Sequence, residues 1–291
     1  MLKIFRALYL FLNIAIILAL LLIHFVYKEN SYQSSLLYYT FPLPVIILAI
    51  LFLSIFLKRK FRKLNLLLAA LLLIVWISRS FKINFSEDIT ETDLEVVFWN
   101  ASHYRNFNEA FNVNKGIPDV MVMVEGCKNN IKKLQLEFPE YYFHLPGEEI
   151  AIFSKALINN IEVKKGDFGT TVINFKVYGI DFYAVDGSAS LDVPRAWGLS
   201  FVDSQIKNKE NTVILGDFNV PYESKYLDKM KTDYNHAFNE KGNGFRETWF
   251  LNMPFLSLDH IWVSKDLKIL KTEKISTFKS DHSMLKTYIR N

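Results

Sequence analysis

Three uncharged apolar runs dominate the first eighty residues, and the pattern then changes to short alternating segments. Ala7–Tyr27 and Leu36–Leu57 are each long enough, at 1.5 Å of helical rise per residue, to match a hydrocarbon core of about 30 Å. The run Leu64–Ile77 alone gives roughly 21 Å. Flanking Lys63, Arg79 and Lys82 can snorkel and Trp76 suits an interface, so a third span of about 64–81 is expected. The alternative for this run is a helix lying in the interface. Pro42 and Pro44 predict a kink in the second run, and His24 near the end of the first reads as interfacial. Lys3 and Arg6 resemble the start of a signal peptide, but no small-x-small cleavage pattern follows and further apolar runs do. Residues 1–83 therefore read as a membrane region and the polar stretch 84–93 as a linker. From Leu94 to the end, β-branched and aromatic runs such as LEVVFWN, VMVMVE, TTVINFKVYGI and NTVIL predict strands. Arg105–Lys115 and Pro194–Lys209 predict helices. Many strands with few helices between them predict an α/β (α+β) four-layer sandwich, two sheets packed face to face with helices outside.

Charge follows the same division. Residues 1–85 hold ten Lys/Arg against one acid, Glu29, and the remaining 24 Lys/Arg face 29 acids, a net of −5. The basic residues flank apolar runs, which marks a membrane protein rather than a polynucleotide binder. Lys3, Arg6 and the cluster Lys58–Lys63 are expected to stay cytoplasmic, so three spans place residues 84–291 outside the cytoplasm. Cys127 is the lone cysteine, so no intrachain disulfide forms.

The polar residues fall at strand ends. Asn100 ends one apolar strand, Glu125 another, and Asp217 and Asn219 a third, while Asp259 and then Asp281 with His282 begin two more. Asp217 and Asn219 point the same way if the chain stays extended, although Gly-Asp-Phe-Asn also suits a plain turn. Hard oxygen donors repeated at five strand ends suit Mg²⁺ or Mn²⁺.

Seven segments in this order, WN (99–100), VE (124–125), IAIFSK (150–155), GDFN (216–219), ETW (247–249), LDHIWVS (258–264) and SDH (280–282), resemble the endonuclease/exonuclease/phosphatase superfamily from Leu94 onward. Three spans ahead of such a domain further resemble its membrane-anchored branch, which includes bacterial teicoplanin-resistance proteins. The resemblance implies two mixed sheets flanked by helices and metal-dependent hydrolysis of a phosphate ester or anhydride. It implies Glu125 as the main metal ligand, with Asn100 and Asp281 in or near the shell. Asp217 is implied to activate water, with Asn219 holding that water or the phosphate. His282 is implied to contact phosphoryl oxygens and Asp259 to fix its tautomer. One departure is Asp186, which stands where the superfamily often has a histidine and which serves either as a proton donor with raised pKa or as an extra metal ligand. Lys155 and Arg195 are candidate phosphate contacts, and His103 and Arg105 follow the Asn100 strand. His144 and His260 read as packing residues.

The expected partners are membrane lipids and a lipid-linked phosphate such as undecaprenyl diphosphate, with nucleic acid as the weaker alternative and no protein partner inferable. A metal-dependent nuclease and a membrane-anchored binding protein with a degenerate site are the competing functions.

Overall fold

The computed structural model describes residues 2–102, 105–126, 130–145 and 150–291, which fall into two compact units, Met1–Phe81 and Lys82–Asn291. His103 and Cys127 lie outside the described residues.

In the first unit, α1 (Leu2–Leu21) runs on through a π-helical turn, Leu22–Tyr27. Its Lys3–Tyr27 stretch and α4 (Arg59–Ser80) are both long and apolar enough to cross a membrane. The second predicted span is not one helix. It is α2 (Tyr32–Thr40) followed by α3 (Leu43–Ser54), bent by 66°. Pro42 and Pro44 cause the break, because each lacks an N–H and proline disfavours helical geometry in the residue before it. The count is therefore two spans, or three if the bent pair crosses as one. Arg59–Lys63, most of the basic cluster, form the start of α4, which lengthens this helix to 22 residues, about 33 Å. Ile17, Leu20, Ile46, Ile50 and Leu72 are buried among these helices, whereas Phe11, Leu18 and Ile74 face outward.

The second unit contains strands β1 (Leu94–Asn100), β2 (Val120–Val124), β3 (Tyr142–His144), β4 (Ile150–Ser154), β5 (Asn159–Lys165), β6 (Thr171–Val177), β7 (Ile180–Asp186), β8 (Thr212–Asp217), β9 (Tyr234–His236), β10 (Asp259–Ser264), β11 (Lys268–Ile275) and β12 (Met284–Arg290). They form two six-stranded sheets, ordered β11-β12-β1-β2-β4-β3 and β9-β10-β8-β7-β6-β5. Each sheet has one parallel pair, β1 with β2 and β7 with β8, and is otherwise antiparallel. Both sheets are thus mixed.

Period-two alternation decides what meets between the sheets. Val96, Phe98, Val120 and Val122 from the first sheet join Phe182, Ala184, Val213, Leu215 and Ile261 from the second in one buried cluster. Val97, Trp99, Met121 and Met123 face the other way, onto α5 (Phe107–Asn114) and α6 (Ile131–Glu137). Two mixed sheets with helices outside are the sandwich expected from the strand pattern. Following the same parity, Asn100, Asp186, Asp217 and Asp259 lie on the inner faces, at the ends where β1, β7 and β8 finish and β10 begins. The site is therefore set at one mouth of the sandwich. Between the sheets, Phe182 is fully buried and stacked on Phe175 at 5.2 Å. Phe182→Ala is expected to destabilise the second unit by about 3–5 kcal/mol. Urea denaturation of the full chain in detergent, followed by tryptophan fluorescence, checks this.

Candidate active site

Asn100 is the hub of the mouth. It is 1% exposed, and its Nδ2 donates to Glu125 Oε1 at 3.2 Å and to Asp217 Oδ2 at 3.0 Å. Its Oδ1 accepts from the Ser102 amide at 3.1 Å. Glu125 directly follows β2 and takes φ +52°, a left-handed turn that ends the strand before its acid. That conformation costs a non-glycine residue roughly 1–2 kcal/mol, and such strain gathers at functional sites.

Asp217 is buried at the end of β8. Extension does not persist beyond it. Asn219 takes φ +52°, its amide donates back to Asp217 Oδ1 at 2.8 Å, and its Nδ2 donates to the Gly187 carbonyl at 2.8 Å. A shared face therefore no longer follows from their even spacing. The stretch is both a turn and part of the mouth. Gly187 is required at this crossing, because a Cβ there would meet the Phe218 carbonyl oxygen at 2.9 Å.

Asp259 and His282 complete the mouth. His282 Nδ1 bonds Asp259 Oδ2 at 2.8 Å, and His282 Nε2 lies 3.9 Å from Asp217 Oδ2. Burial opposes charge on the imidazole, but the Asp259 carboxylate outweighs it, with Asp217 and Asp281 adding to the effect, and pushes His282 up to about 10. Burial, and then the Asp259 carboxylate, push Asp217 up to about 7 against the pull of His282 and of its hydrogen bonds from Asn219 and Asn100. His282 thus stands as an imidazolium between two acids, one of which titrates near neutrality.

The other predicted residues are placed as follows. Asp186 pairs in register with Asp217 across the parallel β7/β8 ladder and is half-buried. Asp281 accepts from the Ser102 hydroxyl and from Trp249 Nε1, both at 3.0 Å. Lys155 pairs with Asp119 at 3.0 Å, and the Arg195 guanidinium caps the carbonyls of Ser188, Ala189 and Ser190. Arg105 donates to the Lys279 carbonyl at 2.6 Å. These three cations therefore hold protein groups. His144 lies on an edge strand, where burial lowers its pKa.

Several supporting residues were not assigned roles from sequence. The Ser280 hydroxyl donates to the Asn100 carbonyl at 2.8 Å and accepts from the His282 amide at 3.0 Å, which ties the last loop to the end of β1. Thr248 Oγ1 accepts from the amides of Leu258 and Asp259, both at 3.2 Å. Behind the mouth, Asn239 N donates to His236 Nδ1, His236 and His260 meet ring to ring at 3.1 Å, and His260 Nε2 donates to the Val220 carbonyl at 3.0 Å. This chain holds the turn after β8 from beneath, so His260 is a packing residue, as its alternation away from Asp259 indicates. The serine in SDH and the paired histidines were visible as residues, but their partners are too distant in sequence to be read.

A model of the Endonuclease/Exonuclease/phosphatase family matches residues 97–282. The chain belongs to this family. Its members are hydrolases of phosphoesters, and their use of divalent metals bears on the donors in this mouth. A search of curated proteins finds no match. Among solved structures, a family protein from Bacteroides thetaiotaomicron is 16% identical with a TM-score of 0.53, covering 69% of this chain and 98% of that one. One from Bacteroides vulgatus is 18% identical with a TM-score of 0.53, covering 69% and 99%. A mannosyl-6-phosphatase from Bacteroides thetaiotaomicron is 16% identical with a TM-score of 0.52, covering 68% and 100%. At these identities the likeness is one of fold.

The donor set fits a divalent cation. The Glu125 and Asp217 carboxylates converge on one buried amide, and Asp259 Oδ1 is buried with no hydrogen-bond partner among the described residues. Asp217 and Asp259 are buried and Glu125 is half-buried, and carboxylates gathered away from water are costly unless a cation or protons offset their charge. Ligand atoms of Asp217, Asp259 and His282 also lie within 4.8 Å of one another, so they form a second set that could hold an ion. In the present geometry His282 and Asp259 already satisfy each other through Nδ1.

Proposed function

We propose that this chain is a membrane-tethered, divalent-metal-dependent phosphohydrolase that works outside the cytoplasm on a lipid-linked phosphate or diphosphate, undecaprenyl diphosphate being one such substrate. The observation that carries the reading is the continuous run of contacts Glu125–Asn100–Asp217–His282–Asp259 at the mouth. Mg²⁺ or Mn²⁺ held by Glu125 and its neighbours would neutralise charge on phosphorus. Asp217 accepts the proton of the attacking water, and its elevated pKa suits a base working near pH 7. Asn100 and the Asn219 amide each hold one oxygen of that carboxylate in place. His282 keeps Nδ1 on Asp259 and offers Nε2–H to a phosphoryl oxygen. Asp186, in register with Asp217 on the inner face, is a further acid that could serve the leaving group.

Lipid rather than nucleic acid is favoured by two observations. Residues 86–291 carry a net charge of −5, which disfavours a polyanion. The rim of the mouth is also apolar. Leu251 and Met253 are exposed on a loop that clasps the 277–283 loop: Leu251 N donates to the Asp281 carbonyl and Asn252 Oδ1 accepts from Thr277 N. Phe278, on the clasped loop, is 87% exposed. Large apolar side chains a few residues from His282 suit a substrate with a hydrocarbon tail.

One detergent preparation assayed against p-nitrophenyl phosphate, bis-p-nitrophenyl phosphate, plasmid DNA and a polyprenyl diphosphate separates the readings. The lipid diphosphate is expected to be cleaved and DNA far more slowly. Efficient DNA cleavage with the lipid untouched would establish the nuclease reading, and inertness to all four the degenerate-site reading. Orientation is tested in a variant lacking Cys127. A cysteine at exposed Glu210 is expected to react with an impermeant maleimide in intact cells or spheroplasts, and one at exposed Lys60 to be protected.

A further inference from the structure

The polar stretch that follows the last apolar helix is not a free tether. Asn84 is clamped by four hydrogen bonds. Its amide donates to Asn243 Oδ1 at 2.8 Å, its Nδ2 to the carbonyls of Asn239 and Gly242 at 3.0 and 2.8 Å, and its carbonyl accepts from Asn243 Nδ2 at 2.9 Å. Lys241 Nζ donates to the Phe85 carbonyl and pairs with Glu87, which also pairs with Lys268. The Glu87 amide donates to the Leu270 carbonyl at 2.9 Å. Arg290 donates to the Asp88 carbonyl and grips Asp93 with two 2.7 Å bonds. From Asn84 to Asp93 the segment is strapped to its own unit at five residues, Asn84, Phe85, Glu87, Asp88 and Asp93.

The strap has two faces. Lys82 and Asn84 turn inward, whereas Ile83 and Phe85 turn outward and are 77% and 89% exposed. This is the period-two alternation of an extended chain with its apolar side left uncovered. Connectivity indicates what covers it. α4, long and apolar enough to cross a membrane, ends at Ser80. Phe85 is five residues on, a reach of at most about 18 Å even fully extended. With α4 as a span, Ile83 and Phe85 stay within that reach of the point where it leaves the bilayer.

We propose that residues 82–93 form a strap, bound along its length to its own unit, whose Ile83/Phe85 face lies in the bilayer interface, so that the catalytic unit is kept at the height of the lipid surface. This rests on the reading that α4 spans the membrane. Its consequence for turnover rests also on the lipid-phosphate reading. A pinned strap confines the site to a thin layer of space, which raises the effective concentration of phosphates at that level. A long flexible tether would dilute it.

Two measurements on the full chain in liposomes test the strap. In a variant lacking Cys127, Ile83→Cys and Phe85→Cys each carry an environment-sensitive fluorophore. Quenching by doxyl-labelled lipid with little quenching by aqueous iodide is expected. Strong iodide quenching without doxyl quenching overturns the proposal, as does protection from both, which would mean that a second copy covers the face. In the second measurement, a flexible Gly/Ser insert of about ten residues between Ser80 and Phe81, and separately Asn84→Ala, are assayed on two substrates. Hydrolysis of a liposomal polyprenyl diphosphate is expected to fall at least about tenfold while a short-chain soluble phosphate ester is cleaved as before. Undiminished liposomal hydrolysis overturns the proposed height at the lipid surface. If the unaltered protein cleaves neither substrate, the functional reading fails, and the quenching experiment still judges the strap.

Discussion

His282→Ala is expected to lower turnover on the order of 10²–10⁴-fold, the range for a lost acid–base partner, and Asp217→Asn to do the same. The reason is geometric. Among the described residues, His282 is the one imidazole shown with its Nδ1 bound to a buried acid, Asp259, while its Nε2 lies 3.9 Å from Asp217. Alanine removes the cationic donor and leaves Asp259 buried with no partner on either oxygen among the described residues. Asp217→Asn removes the proton acceptor but keeps the shape, so its loss should appear in kcat more than in KM. Asp259→Asn is a further probe. It keeps a hydrogen-bonding group beside Nδ1 but removes the charge that chiefly holds the imidazole protonated, so activity should fall with the chain still folded. Full activity of His282→Ala on the cleaved substrate would remove the histidine from the mechanism.

EDTA is expected to abolish hydrolysis, and Mg²⁺ or Mn²⁺ to restore it. Glu125→Gln should weaken metal binding measured by calorimetry and depress activity comparably. The physical basis is the convergence of Glu125 and Asp217 on the single amide of Asn100. That amide donates to both acids but carries no positive charge itself, so a cation beside Glu125 would add what the amide does not. Glutamine preserves volume and removes one charge, so the fold should survive and rising metal concentration should rescue activity in part. Unimpaired hydrolysis in EDTA would defeat the metal assignment. The same titration separates the two donor sets. If Glu125→Gln leaves affinity unchanged while Asp259→Asn destroys it, the Asp217/Asp259/His282 set holds the ion.

Local pattern made much of this protein legible in its sequence. The uncharged apolar runs specify helices that suit a bilayer, because length and hydropathy are properties of a segment alone. Alternation in LEVVFWN, VMVMVE and NTVILGD likewise determines that Asn100 and Asp217 follow the inner faces of their strands. The seven short segments resemble the family whose model matches residues 97–282. The tertiary structure decided what depends on one backbone torsion or on distant partners. A left-handed φ at Asn219 turns its side chain onto Gly187, 32 residues away in sequence, so an even spacing from Asp217 no longer means a shared face. Asp281 looks free in SDH, yet Trp249 and Ser102 meet its two oxygens from 32 and 179 residues away. Pro42 suggested a kink, but a proline alone does not specify an angle, and the two helices meet at 66°. The stretch 84–93 has the composition of a linker, and only the arrival of Asn239, Asn243, Leu270 and Arg290 from the far end of the chain turns it into a strap. Hydrogen bonds over such separations form only when the sheets have closed, so no periodicity within the segment encodes them.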